Sequence, residues 1–315
     1  MYIIFNCLNS GCANNGGTRT IIRCAQTIEK LGHRCDIAAT VDTFDWFEHK
    51  APVPYIPWDT DVVVATACTT IPTTLKSSIK KKAWYIRGHE TWMWDEFRLS
   101  RLYNIESLFK ITNSNGLKKK VESFGGSAVV VPQGIDLNLW YDEGAASTQV
   151  FRIGCLYQKK TTKRWKDFVK LAEILGHDGY EYVGFGDTKR DDSFLTDFLC
   201  EPTIDELRNL YSTCHVWFAP TELEGLHNVP MEAALCGCLI VCSASPMNGM
   251  MYDYAFDGQT AIVYPSRDVE YAADAVKRCD WPMEFMVLNM QSLLRTQIGS
   301  REHNMKKFVD FLAEI

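Results

Sequence analysis

The chain has 315 residues, of which 46% are hydrophobic and 23% charged, with a formal net charge of −6. Such a chain can bury a sizeable core, and at roughly 100–200 residues per domain its length suggests two domains; a disordered chain or a small disulfide-built module is excluded. No apolar run reaches about 18 residues, so no membrane-spanning helix is expected.

Tyr2 to Leu8 is a nearly continuous apolar run, the pattern of a strand covered on both faces. With no basic segment before it, it reads as a first strand and not as a signal peptide. A polar loop ends in Asn14-Asn15-Gly16-Gly17. Ile21, Ala25, Ile28 and Leu31 then mark a helix that Gly32 stops. Cys35 to Thr40 is a second strand. Further strands are expected at 61–66, 83–87, 108–112 and 128–131, with helices between them. That alternation implies a parallel sheet covered on both faces. Pro132-Gln133-Gly134 breaks the series and 142–148 is polar and small, which places a domain boundary there. The reading is a first domain over 1–147 and a second over 148–295. Residues 296–315 form a terminal helix with one apolar stripe, Met305, Phe308, Val309 and Leu312, expected to pack back on the first domain.

The second series opens with a strand at 151–156, a helix at 166–175 and a strand at 180–183. Thr203 and Glu206 form a capping box that starts a helix over 203–211. Strand 216–219, a short helix 231–235, strand 239–242 and helix 269–279 follow.

The twelve cysteines contain no Cys-x-x-Cys pair, and Cys236, Cys238 and Cys242 lack a fourth ligand at finger-like spacing. They read as free, buried thiols of a reducing compartment, and a cytoplasmic location is expected. Charge is uneven. Residues 1–135 hold 16 Lys+Arg against 12 Asp+Glu, and 136–315 hold 17 against 27. The basic first half suits an anionic acceptor or peripheral contact with an anionic surface; ordinary solvated faces explain it as well.

Phe218 to Cys242 carries the most chemistry. A strand runs into Pro220, a loop bears Glu224 and Gly225, and a helix is expected to open near Pro230 with Glu232 in its first turn. Glycine lets backbone N–H groups approach a ligand, a helix N-terminus favours phosphate, and a carboxylate accepts hydrogen bonds from sugar hydroxyls. The set suits a phosphorylated sugar.

Glu224 and Glu232 stand in the Glu-x7-Glu arrangement of glycosyltransferase family 4, and the flanking Glu-Ala-Ala-Leu-Cys-Gly-Cys-Leu-Ile-Val is similar to that family's pattern. Asn15-Gly16-Gly17-Thr18-Arg19, Ile111-Thr112-Asn113-Ser114, Val130 to Asp136 and Asp257 to Ala261 resemble other family segments, so the resemblance spans nearly the whole chain. It implies an α/β GT-B fold, two Rossmann-like domains with parallel sheets facing a central cleft. It also implies retaining transfer of a hexosyl or pentosyl group from a UDP- or GDP-linked donor, without a cofactor or a metal.

Carried over residue by residue, the resemblance makes Glu224 the group that orients the donor sugar and Glu232 the ribose-binding carboxylate. Gly225, Leu226, His227 and Asn228 would support sugar or phosphates through their backbone, and Gly154 would lie at the donor. Gly16 and Gly17 would approach the donor phosphates or the acceptor. His89 would face the transferred sugar, and Lys163 would neutralise the leaving diphosphate. Arg19, Trp92 and Trp94 are candidates for acceptor contact, although half-buried packing explains the two tryptophans equally well. The sequence departs from the family twice: Cys155 replaces the usual arginine, so that Lys159, Lys160 and Lys163 compete for the lysine's role and Lys159, Lys160 or Arg164 would supply the second charge, and His227-Asn228 replaces the usual Gly-Leu. Lys163 is preferred for its distance to the following helix. A glycan or lipid-linked glycan is the expected acceptor, hydroxymethylated bases of phage DNA the alternative, and a non-catalytic sugar-nucleotide-binding protein a second alternative.

Overall fold

The computed structural model describes residues 1–41, 43–44, 46–146, 149–245, 249–280 and 284–315. The chain divides into two compact units, Met1–Gly134 with Ser300–Ile315, and Ile135–Gly299.

The first unit is a six-stranded sheet with helices in the connections. In chain order it runs β1 (Tyr2–Asn6), α1 (Gly16–Lys30), β2 (Arg34–Ala38), β3 (Val62–Ala65), α2 (Ile71–Lys76), β4 (Lys81–Ile86), α3 (Glu96–Tyr103), β5 (Phe109–Thr112), α4 (Asn115–Ser123) and β6 (Val129–Val130). The order across the sheet is β2-β1-β3-β4-β5-β6, and every pairing is parallel. Successive residues of each strand feed opposite cores, as the period of two requires. Phe5, Val64 and Tyr85 join one core; Ala65, Trp84 and Ile86 join the other. Asn15 caps α1 by accepting from the Thr18 N–H, which supplies one of the helix's orphan donors with an acceptor.

The terminal helix, Arg301–Glu314, belongs to this first unit. Phe308 meets Phe5 and Tyr85 at ring-centroid distances of 5.9 and 5.1 Å. Met305, Phe308, Val309 and Leu312 are all buried, and each contributes about 1.5–3 kcal/mol of apolar burial.

The second unit holds β7 (Phe151–Tyr157), α5 (Trp165–Leu175), β8 (Tyr180–Gly186), β9 (Asp197–Cys200), α6 (Ile204–Thr213), β10 (Val216–Ala219), α7 (Asn228–Leu235), β11 (Leu239–Ser243), α8 (Met250–Asp253), β12 (Ile262–Tyr264), α9 (Val269–Lys277) and α10 (Glu284–Leu293). Its sheet order is β12-β11-β10-β7-β8-β9, again all parallel. Thr203 caps α6 through the capping box with Glu206.

The chain crosses between units at Gly134–Ile135 and again at Gly299–Ser300. The sequence places the first boundary at 147–148, and Ser147 and Thr148 lie outside the described residues. Residues 135–146 go with the second unit for a packing reason. Trp140 is buried against Tyr211 at 5.7 Å, and Glu143 Oε1 accepts from Arg208 Nε at 2.7 Å. The cysteines are free, and all but Cys200 and Cys279 are buried. Among the described residues no helix is long and apolar enough to cross a membrane.

Candidate functional site

In an open parallel sheet, ligands bind outside the carboxyl ends of the strands, where the strand order reverses. In the second unit that point lies between β7 and β10: the chain steps from β7 to β8 and β9 on one side, then to β10 on the other. Two loops leave the sheet there, Gln158–Arg164 and Pro220–His227. They are tied by their backbones, because the Glu222 N–H donates to the Thr162 carbonyl at 2.8 Å.

Upon that tie the structure sets four polar side chains. Lys163 Nζ donates to Glu224 Oε1 in a close ion pair whose side chains are 12% and 17% exposed. The Thr221 hydroxyl lies 3.3 Å from the same carboxylate oxygen and 3.2 Å from the Thr162 carbonyl. His227 Nε2 stands 3.9 Å from Glu224 Oε1, and both its ring nitrogens are buried without a hydrogen-bond partner. Burial opposes ionisation of Glu224, but Lys163, then His227 and the hydrogen bonds to the carboxylate, outweigh it and hold its pKa below the usual range. Burial, reinforced by Lys163 and opposed by Glu224, pushes the His227 pKa down to about 3. At neutral pH Glu224 is therefore a carboxylate and His227 a neutral imidazole.

Neighbouring groups fix the cluster's frame. The Gly249 N–H donates to the Glu224 carbonyl at 3.0 Å, and a Cβ at Gly249 would stand 1.7 Å from the Gly225 carbonyl oxygen. Tyr254 donates its hydroxyl to the His227 carbonyl at 2.7 Å. Of the basic candidates, only Lys163 is set on Glu224. Lys159 and Lys160 are exposed. Arg164, in the left-handed region at φ +57°, makes a two-point contact with Asp167 at 2.9 and 2.7 Å.

Two picks in this unit land elsewhere than expected. The helix α7 begins at Asn228, so Glu232 is its fifth residue and stands about two residues further in than the sequence suggests. Pro230 is then the third helical residue, where a missing N–H costs nothing because that group has no intrahelical acceptor. Gly154 lies within β7, where a Cβ would meet the Trp217 ring at 2.3 Å; its smallness serves sheet packing. Leu226 points into the core, and Gly225 is buried. Asn228 and Glu232 are half-buried.

In the first unit the strand order reverses between β1 and β3. Arg87, just beyond β4, donates to the Thr66 carbonyl at 3.1 Å and to the Gly17 carbonyl at 2.5 Å, and so links the ends of β3 and β4 to the start of α1. Gly16 has open space where a Cβ would be. At Gly17 a Cβ would come within 3.1 Å of Asn15 Oδ1. Arg19 Nε donates to Asn14 Oδ1 at 2.9 Å.

His89, expected to face a sugar, is 2% exposed. Its Nδ1 is paired with the Tyr103 hydroxyl at 3.0 Å and its Nε2 with Glu96 Oε1 at 3.1 Å, while its ring stacks on Tyr103 and Phe124. It bridges α3 to the end of β4. Trp94 is half-buried against the core that holds Trp84, whereas Trp92 is 56% exposed and edges on Gly88. Sequence reasoning passed over Thr221, Arg87 and Glu90. Burial raises the Glu90 pKa, and its carboxylate accepts from the Cys68 N–H at 2.5 Å. All three follow immediately or closely on strand ends, which is the signal that could have found them.

Comparison with known proteins bears on the fold. Residues 175–279 match the family model described as glycosyl transferases group 1. No curated protein matches the sequence. Among solved structures, HepE of Anabaena in complex with UDP-glucose is 14% identical with a TM-score of 0.82, and all of both chains is covered. Sucrose-phosphate synthase of Thermosynechococcus elongatus is 14% identical with a TM-score of 0.80, covering 100% of this chain and 98% of its own. The pneumococcal O-GlcNAc transferase GtfA, in complex with UDP and GlcNAc, is 12% identical with a TM-score of 0.68, covering 100% and 99%. The chain has the GT-B fold of these glycosyltransferases, and over residues 175–279 it carries the sequence pattern of the glycosyl transferases group 1.

Proposed function

We propose that the chain is a retaining glycosyltransferase of family 4 that moves a hexosyl group from a UDP-sugar to a hydroxyl of a glycan or lipid-linked glycan. The observation that carries this reading is the Lys163–Glu224 pair at the strand-order reversal of the second unit, inside the loops where the resemblance calls for a sugar-orienting carboxylate and a phosphate-neutralising lysine. UDP-glucose in the HepE complex, and UDP with GlcNAc in the GtfA complex, support UDP over GDP as the donor nucleotide.

The chemistry follows from the charges. As the bond from the anomeric carbon to the diphosphate breaks, positive charge develops on the sugar and negative charge on the leaving oxygen. Lys163 and the first N–H groups of α7 stabilise the negative charge, and Glu224 orients the sugar and opposes its positive charge. The acceptor hydroxyl attacks on the face the diphosphate leaves, which retains configuration. Glu232 holds the ribose. With lysine and N–H groups on the diphosphate, no metal is required. On the acceptor side, Gly16, Gly17, Arg19 and Trp92 are the proposed contacts, because His89 and Trp94 are held in packing.

A panel of UDP-glucose, UDP-galactose, UDP-GlcNAc and GDP-mannose tests the reading. A true donor raises the unfolding temperature, since it binds only the folded state, and is hydrolysed slowly in EDTA. If no sugar nucleotide shifts unfolding or releases diphosphate, the reading fails.

A further inference from the structure

We propose that His227 is a positioning residue: its ring N–H takes over the Glu224 carboxylate when Lys163 turns from that carboxylate to the donor diphosphate. This rests on the donor-site reading above.

The argument starts from an unbalanced group. His227 is 5% exposed, and its carbonyl is held by Tyr254, yet neither ring nitrogen has a partner among the described residues. Buried polar atoms are nearly always paired, so two orphans on one ring need a reason. Glu224 stands close by, its Oε1 3.9 Å from Nε2. That is too long for a hydrogen bond, and about 1 Å of movement would bring it to normal length.

The same carboxylate now has Lys163 as its counter-charge. A diphosphate is the stronger anion and draws on the same ammonium. Without a substitute, Glu224 would keep, among the described residues, the Thr221 hydroxyl, which the Thr162 carbonyl also claims. A carboxylate so stripped takes up a proton more readily and loses its orientation. A neutral imidazole supplies an N–H donor without adding a cation that would compete with Lys163 for the leaving group. The groups facing Glu224 are Lys163 from the turn after β7, Thr221 and His227 from its own loop, and Tyr254 behind the His227 backbone. His227 stands where the resembled family usually has glycine, and the arrangement around Glu224 gives that departure a task.

The test compares H227L, which keeps bulk and removes both nitrogens, with H227Q, which restores an N–H near the Nε2 position. The readouts are kcat for donor hydrolysis, its pH profile, and UDP affinity by calorimetry. H227L should lower kcat about 10- to 100-fold, the effect of one hydrogen bond to a charged group, with UDP affinity within about twofold. Its acid limb in kcat should move to higher pH, and H227Q should recover most of the loss. A merely structural role would move neither the acid limb nor the kcat-to-affinity split. If leucine prevents folding, H227F supplies a ring without nitrogens. Unchanged kcat in H227L, a parallel loss of UDP affinity, or H227Q no better than H227L overturns the role of His227 alone. A wild-type protein that binds no nucleotide diphosphate overturns the donor-site reading, and this role with it.

Discussion

The two units are built on one plan and differ in what stands where the strand order reverses. In the second unit an ion pair, Lys163–Glu224, lies half-sheltered beside an unpartnered imidazole. In the first, Arg87 gives its two terminal nitrogens to the Thr66 and Gly17 carbonyls while its Nε stays buried without a partner among the described residues, and the histidine nearest the strand ends, His89, has both nitrogens paired. The same sheet geometry thus carries an ion pair beside an unpartnered imidazole in one unit and a mostly backbone-paired polar frame in the other. The difference teaches that the fold supplies the place, while function must be read from which polar groups are left with unfinished business there.

Removing the cation should expose the contrast most strongly. Lys163→Ala is expected to lower donor turnover about 1,000-fold, because it removes a preorganised charge aimed at the leaving group. Glu224→Gln should lower kcat on the order of 100-fold, since a misplaced sugar reacts slowly. His89→Gln in the first unit, by contrast, should lower the unfolding temperature more than it lowers kcat. Steady-state assays with thermal melts on the three variants would break the comparison if His89→Gln proved the most damaging to kcat.

A glycine pair gives a smaller effect. Gly154→Ala forces a Cβ to 2.3 Å from the Trp217 ring, and overpacking of that kind costs about 1–3 kcal/mol. Gly16→Ala meets nothing within 4 Å and should leave stability nearly unchanged. Urea midpoints of the two variants check this.

The smallest effect is a pH dependence. The His227 pKa falls from 6.5 unfolded to about 3 folded, so between those values the unfolded chain binds the extra proton. Its contribution is whole above about pH 6.5 and is lost as pH falls through that window. Glu224, also depressed, adds to the loss below its ordinary value of 4.5. Urea midpoints at about pH 7 and about pH 5 should therefore drop for the wild type and drop less for His227→Gln.

Much of the fold was legible because its signals are local. The capping box at Thr203 and Glu206, the apolar run of β1 and the stripe of the terminal helix each lie within a few residues. The strands β9 and β12 were missed: one has exposed ends and the other is three residues long, so neither shows a period. The start of α7 was misplaced because Pro230 reads as a first helical residue, whereas a third position tolerates it equally. Glu224 and Lys163 stand out in their segments, and the structure pairs them. What no spacing could show was tertiary: the pairing of His89 with Tyr103 and Glu96 on α3, Trp217 filling the space over Gly154, and the empty ring nitrogens of His227.

The central claim is that the loops after β7 and β10, with α7, form the donor site, in which Glu224 serves the sugar and Glu232 the nucleotide. Calorimetric titration of UDP into wild type, Glu224→Gln and Glu232→Gln tests it most directly. The account predicts that Glu224→Gln binds UDP nearly as well as wild type, while Glu232→Gln binds it about tenfold more weakly, the loss of one hydrogen-bonded carboxylate. Loss of UDP binding in Glu224→Gln with Glu232→Gln intact would reverse the two roles, and unchanged binding and turnover in both would place the site elsewhere.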